Sequence, residues 1–481
     1  MERRTLVAVL KPTSLPITAT KVRRYYYSDM DPIAFNRRAA LSMMGGGLGT
    51  LGLLGTLQAA SGHQPHFVPR AKRVIHLFMN GGPFGPDFLD PKPALAQYEG
   101  QRPEATNLRT ERKTGGVLAA PFQYYRHGQS GLQISELLPH TAKFADDLCV
   151  LKSLYTDNPN HGPALLLMNN GTMTPKVPSM GAWVSYGLGT ENADLPSYIV
   201  LCPGRPVRFS ILWNSAFLPQ QYQGTYINHS KLSPKEMVPW LSNPRMDPGT
   251  QRKQLDLLQA LNREHLSAQP THDLALEGRI QSLETAYRMQ SAATDAFDIS
   301  KEPKSIRDAY GSGHFANGCL LARRLSERGV RFIQVYYGNG QPWDTHNNHN
   351  PSTRNLARNI DQPVAALLAD LKERGLFDDT LIVWGGEFGR TPVSENNSGR
   401  DHNHHGFLMW LAGGGTKGGT TYGETDEFGF KAAHNPVHIN DLHATLLHLL
   451  GIDHERLTYR HAGRDYRLTN VAGEVIHDVV A

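Results

Sequence analysis

Cysteine is nearly missing: Cys149, Cys202 and Cys319 are the three in a chain of 481 residues. An odd number at wide spacing makes neither a zinc knuckle nor a disulfide framework, and reads as three buried small hydrophobes. Charged residues are also scarce, at 19% against 40% hydrophobic, which excludes a disordered chain. Neither an internal repeat nor a collagen-like or coiled-coil period is present. Beyond the N-terminal region, no segment is long and apolar enough to span a bilayer. An excess of one charge sign is missing from most of the chain as well. The formal net charge is +5, but residues 1–38 carry eight basic and three acidic residues, so the other 443 hold 41 of each sign. Basicity therefore gives no support for a nucleic-acid partner.

The positive charge marks an export signal instead. Arg37-Arg38 precede an uncharged stretch, Ala39 to Ala60, with six glycines, which ends in Gln58-Ala59-Ala60-Ser61. A basic segment, a weakly apolar glycine-rich segment and a small-residue exit read as a leader over residues 1–60. The paired arginines point to the twin-arginine export machinery, and so to a periplasmic or extracellular protein. Glycine lowers the hydrophobicity of this segment, which argues against a retained membrane helix. Met30 begins a leader of more usual length, so residues 1–29 read as an over-extended start.

Residues 61–72 read as a linker and 73–481 as one domain. Short apolar runs at 73–79, 148–151, 196–201, 330–337, 380–384 and 408–412 read as strands. Helical spacing covers 317–329, 355–374 and a last helix with Leu442, Leu446, Leu447 and Leu450. Proline-rich residues 205–250 read as an insertion, followed by helices over about 251–296, and the polar stretch 99–129 as a loop. Trp213, Tyr222, Tyr226 and Trp240 in the insertion read either as sugar-stacking rings or as core. Strands alternating with helices predict an α/β fold, a three-layer α/β/α sandwich around a mostly parallel sheet.

In such a sheet ligands bind beyond the carboxyl ends of the strands, and the polar clusters fall there. Strand 73–79 leads to Asn80-Gly81-Gly82 and Asp87. Strand 330–337 leads to Asp344-Thr345-His346 and His349. Strand 380–384 leads to Glu387-Phe388-Gly389-Arg390, then to Asp401-His402-Asn403-His404-His405. Ten of the 22 histidines lie between Asp344 and His454. Carboxylates with imidazoles suit zinc, manganese or iron. Asp344, His346, Glu387 and His405 are the leading ligands, with His402 and His349 as rivals and Asp401 as a carboxylate behind an imidazole. His404 is expected to face solvent. His161 opens a helix and reads either as a nucleophile or acid/base or as an ordinary helix-entry residue. Arg390 reads either as an oxyanion donor or as the partner of Glu395.

The motifs LFMNGGPFGPDFLDPKP, NHGPALLLMNNG, WDTHNNH, LIVWGGEFGRTP, GRDHNHHGF and INDLHATLLHLLGID together resemble the bacterial sulfatase-like family catalogued as domain of unknown function 1501. That family is similar to the alkaline phosphatase superfamily. The resemblance implies an alkaline-phosphatase-like sandwich with a bimetal site, and ligands at Asp344, His346 and the His402 to His405 region. Asn80 falls where the superfamily has a metal-binding Asp, which with Asp87 makes a possible second site. Glu387 falls at the Asp of an Asp-His-Gly turn, where Phe388 replaces the His. His161 falls near the nucleophile. No Cys-x-Pro-x-Arg is present to form formylglycine; Cys202-Pro203-Gly204-Arg205 has the wrong spacing. The expectation is an exported hydrolase of phosphate or sulfate esters, small-molecule or polysaccharide, dependent on a divalent metal. Zinc is foremost among the metals, with manganese, calcium or iron as alternatives. A non-catalytic binding or scaffold protein with a degenerate metal site is the competing reading.

Overall fold

Strand β1 (Arg73–Phe78) is buried along its whole length, the mark of a strand covered on both faces. In the computed structural model, which describes residues 65–238, 245–268 and 274–481 within the unit Ala59–Ala481, β1 lies inside a nine-stranded sheet. The export leader, residues 61–64 of the linker and Trp240 lie outside the described residues.

The sheet is completed by β2 (Leu148–Tyr155), β3 (Tyr198–Cys202), β4 (Thr225–Asn228), β5 (Phe332–Tyr336) and β6 (Thr380–Gly385). A separate two-stranded ribbon follows, β7 (Gly389–Glu395) with β8 (Gly399–Asn403), and then β9 (Phe407–Ala412), β10 (Thr420–Tyr422) and β11 (Val437–His438) return to the sheet. Strand order is β10-β2-β9-β6-β1-β5-β3-β4, with β11 beside β2. All pairings are parallel except those of β9 with β2 and β6.

Side chains of β1 alternate between two cores, as the period of a strand requires. Ile75 and Leu77 pack with Leu321 and Leu325 of α5 (His314–Glu327) and with Leu367 and Leu368 of α6 (His349–Glu373). Val74 and Phe78 pack with Leu165 of α1 (His161–Asn170), Trp183 of α2 (Met180–Leu188) and Leu446 of α7 (Ile439–Leu449). Helices α3 (Pro248–Ala268) and α4 (Leu274–Ala296) come between β4 and α5 in the chain. The architecture is the expected α/β/α sandwich. Truncating a fully buried residue such as Ile75 to alanine would cost about 2–5 kcal/mol.

Several local expectations change. Helix α6 starts at His349 rather than Asn355, because Pro351 lies in its first turn, where backbone N–H groups lack helical partners anyway. The proline-rich stretch 205–250 supplies the edge strand β4, whose four residues are too few to show a period. Trp213 is buried and stacks on Tyr226 at 5.7 Å, and Tyr222 packs on Tyr186 at 5.6 Å, so these rings are packing groups. The polar cluster Asp401 to His405, expected beyond a strand end, begins inside strand β8. The polar stretch 99–129 folds back on the ribbon, with Gly115 N–H donating to Ser394 O at 2.7 Å and Leu118 N–H to Pro392 O at 2.9 Å. All three cysteines are buried and unbridged. No described helix is long and apolar enough to cross a membrane.

Candidate metal centre

Two loops meet at the carboxyl end of β1 because glycine lets them. Gly81 has φ +116°, and a Cβ there would lie 2.5 Å from the backbone nitrogen of Asp344. Asn80 ties the same loop down: its amide donates to Gly338 O at 3.0 Å and to Gly340 O, and its Oδ1 accepts from Gly338 N–H at 3.4 Å. On the ribbon, His402 lies opposite Arg390, and the register shifts between Arg400 and His402. Neighbouring strand residues point to opposite faces, but a bulge re-aims one of them. Asp401 and His402 can thus serve one group.

Three imidazoles converge on Asp344. Nε2 of His346 lies 2.9 Å and Nε2 of His402 3.1 Å from Asp344 Oδ1, and Nε2 of His161 lies 3.3 Å from Oδ2. Each Nδ1 faces a glutamate: His161 with Glu387 at 2.7 Å, His402 with Glu111 at 2.6 Å, and His346 with Glu395. A carboxylate only accepts, so each Nδ1 carries the hydrogen, and a neutral ring leaves its Nε2 lone pair directed at Asp344. Lone pairs facing a carboxylate repel unless protons or a cation lie between them. His161 Nε2, His346 Nε2 and Asp401 Oδ1 are also buried without an aligned hydrogen bond.

The donor set fits a divalent ion, since imidazole nitrogens held by carboxylates are the usual metal-ligand arrangement. Among the described residues, two groups bring their ligand atoms within 4.8 Å of one another: His161 with Asp344 and His402, and His346 with Asp401 and His402. Charge counts point the same way. Asp344, Glu387, Glu395, Glu111 and Asp401 face two guanidiniums, Arg390 and Arg112. Burial by itself would lower the pKa of His161, but Asp344 and Glu387 raise it above the ordinary imidazole value. His346 is raised likewise, against burial, by Asp344 and Glu395. Burial would lift the Asp344 carboxyl, yet His161, His346, His402 and Arg390 hold it far below its usual range.

The remaining candidates lie around this group. Glu387 is fully buried behind His161, and both its oxygens accept from Gly81 N–H, at 3.1 and 3.2 Å. Arg390 is enclosed; it donates to the carbonyls of Gly81, Gly82 and Arg400, and pairs with Asp344 Oδ1 at 2.7 Å. Its partner is therefore Asp344, while Glu395 holds His346 and Arg112. Asp87 meets His349 at 2.8 Å in a separate buried pair, with Nδ1 of His349 2.6 Å from Thr345 Oγ1. Asn80 stays with its loop. His405 faces Arg109 O at 2.9 Å, outside both metal groups. His404, expected in solvent, is partly buried with its ring 3.8 Å from that of His405.

Glu111, Arg112 and Glu395 complete the site and were not legible as members of it. Arg112 N–H donates to Asp401 Oδ2 at 2.6 Å, and its guanidinium reaches Glu395 at 3.2 Å. In the sequence Glu395 is legible only as the alternative partner of Arg390; it ends β7 just before Asn396 and Asn397, which both take positive φ at the ribbon turn. Glu111 and Arg112 give no signal, since a polar loop carries no period.

An α/β/α protein with a histidine and carboxylate cluster at the carboxyl edge of its parallel strands is the class that fold and site define. The chain belongs to the family described as "Protein of unknown function (DUF1501)", whose profile matches residues 71–480. No curated protein matches it by sequence. Among solved structures it is similar to the PsFucS1 sulfatase from Pseudoalteromonas sp., at 13% identity over 84% of this chain and 71% of that one, TM-score 0.34. A protein of the alkaline phosphatase superfamily from Vibrio parahaemolyticus shows 10% identity over 81% and 69%, TM-score 0.34. The TAB5 alkaline phosphatase, a mutant with Mg bound in its M3 site, shows 9% over 80% and 99%, TM-score 0.33. Likenesses of this size assign no activity to the chain.

Proposed function

We propose that the protein is an exported, metal-dependent hydrolase of phosphate or sulfate esters that does not use formylglycine. The observation that carries this reading is the set of three imidazoles, each turned by a glutamate so that Nε2 faces Asp344. Asp344, His346, His402 and Asp401 would hold the ion, with zinc the best match to the donors. When bound, such an ion supplies Lewis acidity toward an ester oxygen and lowers the pKa of water.

The chain's own residues prepare the rest. Arg390, fixed by three carbonyls, holds the Asp344 carboxylate in place. Glu395 and Glu111 fix the ring orientation and tautomer of His346 and His402. His161, anchored at Nδ1 by Glu387 and with its pKa raised by Asp344 and Glu387, would act as the general acid toward the departing oxygen of the ester. The twin-arginine leader would deliver the folded protein to the periplasm or beyond; changing Arg37 and Arg38 to lysine in a reporter fusion should abolish export.

The deciding test combines metal analysis of the purified protein with hydrolysis of aryl phosphate and aryl sulfate. His161→Ala should keep the metal and lose hydrolysis. If the metal leaves with His161, the ion belongs to the His161, Asp344 and His402 group. A protein that takes up no metal from replete medium and hydrolyses neither ester is the scaffold of the competing reading.

A further inference from the structure

Arg390 cannot meet a substrate directly, since it is enclosed and donates to three carbonyls. Two other guanidiniums flank the cluster from separate loops. Arg112 is joined to it through Asp401 and Glu395, yet half of its side chain, 50%, is exposed. Arg208 comes from another loop. Its guanidinium lies against Gly162, the residue after His161, where a Cβ would collide with Nη2.

Three features mark Arg208 as a group held in wait for an anion. It is exposed, and no ion pair engages it among the described residues. It stands at the start of α1, whose first turn contains no acidic residue of its own. Its loop is also fixed to the one carrying Asp344: Gly340 N–H donates to Arg205 O at 3.1 Å, and Arg205 N–H to Asn339 Oδ1 at 2.8 Å. Neighbouring Arg205 lies over the ring of Phe209, 4.9 Å from its centroid, and does not share this position.

We propose that Arg112 and Arg208 are the specificity-determining residues of this site, a two-armed clamp that selects a tetrahedral oxyanion ester over a neutral ester. The assignment rests on the hydrolase reading above but has its own readout. A guanidinium donates in a planar fork that matches two oxygens of a phosphoryl or sulfuryl group. The cluster beside the arms supplies Asp344 and three imidazoles, and without the arms an incoming anion would meet an excess of carboxylates.

The test is calorimetric binding of inorganic phosphate, and separately of inorganic sulfate, to the zinc-loaded protein and to its R112A, R208A and R208K forms. Loss of a charge-assisted contact should weaken phosphate binding by about tenfold to a hundredfold in each alanine variant, with part retained in R208K. Metal content and the thermal midpoint should stay unchanged in R208A, because that side chain is exposed. Binding of phosphate as tight to R208A as to the parent overturns the clamp, and so does no binding of either anion to a fully zinc-loaded parent. Failure of the parent to take up zinc counts against the hydrolase reading instead; the clamp is then read from phosphate binding to the metal-free protein, where the same loss in R208A is expected and its absence overturns it.

Discussion

Two clusters of charge lie toward opposite edges of the same sheet. Near the amino edge, where α5 and α6 feed into β5 and β6, fully buried Arg323 meets Glu302 at 2.6 Å, Asp370 at 2.7 Å and Glu327 at 2.9 Å. Arg374 meets Asp370 at 2.6 Å and Glu327 at 3.0 Å, and Arg324 pairs with Glu302. Three guanidiniums thus answer three carboxylates, and Arg328, paired with Asp295, reaches Glu327 at 3.8 Å, so no carboxylate there lacks a cation. At the carboxyl edge five carboxylates meet two guanidiniums, and three imidazoles aim lone pairs at one of those carboxylates. That group is closed by protons or by a cation. Similar residues give cohesion where charges balance, and a binding site where they do not.

The comparison breaks most visibly at Asp344. Asp344→Ala should abolish both metal binding and ester hydrolysis while the fold is kept, because the side chain is partly exposed and its removal relieves a crowded carboxylate group. Metal analysis with a far-ultraviolet spectrum checks this, and full metal retention would show that Asp344 is no ligand. Arg323→Ala should do the opposite. Removing one partner of a buried pair leaves carboxylates uncompensated, and the expected cost is about 3–5 kcal/mol in denaturant unfolding. Metal bound per folded molecule should not change. A metal loss in that variant would mean that the two edges are coupled through the sheet.

The amino acid pattern shows the scaffold far better than the site. Strands such as Arg73–Phe78 and Thr380–Gly385 are buried on both faces, so they stand out as continuous apolar runs between glycine-rich turns. Asp344, His346 and His402 follow from the rule that strand ends carry ligands. What escaped is what depends on folding back. Glu111 and Arg112 reach the cluster from a loop pinned to β7, about 230 residues before Asp344 in the chain. Glu387 appeared as a ligand by its place in a motif, but the Gly81 amide and the His161 ring draw its carboxylate behind the imidazole. Histidine count misleads for a related reason. His76 and His443 have the same side chain as His161 but are enclosed by apolar neighbours, and that surrounding, not the residue type, decides their charge.

The smallest effect separates those two kinds of histidine by pH. Burial, with His443 nearby, pushes His76 down to about 3, and burial pushes His443 down to about 4. Their folded pKa values lie below the unfolded value, so the unfolded chain binds more protons and stability falls as pH drops from about 6.5 toward 4. His161 and His346 are shifted upward, so in metal-free protein their charged form stabilises the fold fully below about pH 6.5, and that gain fades as pH rises through the raised values. An ion held by His346 must displace the proton of that ring, so the stabilisation it brings grows with pH. The core term is common to both forms and cancels in the difference between metal-loaded and chelator-treated protein. The thermal midpoint of each form should therefore fall on acidification below about pH 6, while the gap between them narrows from several degrees at pH 8 toward zero near pH 5. A gap that stays constant across this range would mean that His346 carries no proton the metal has to displace.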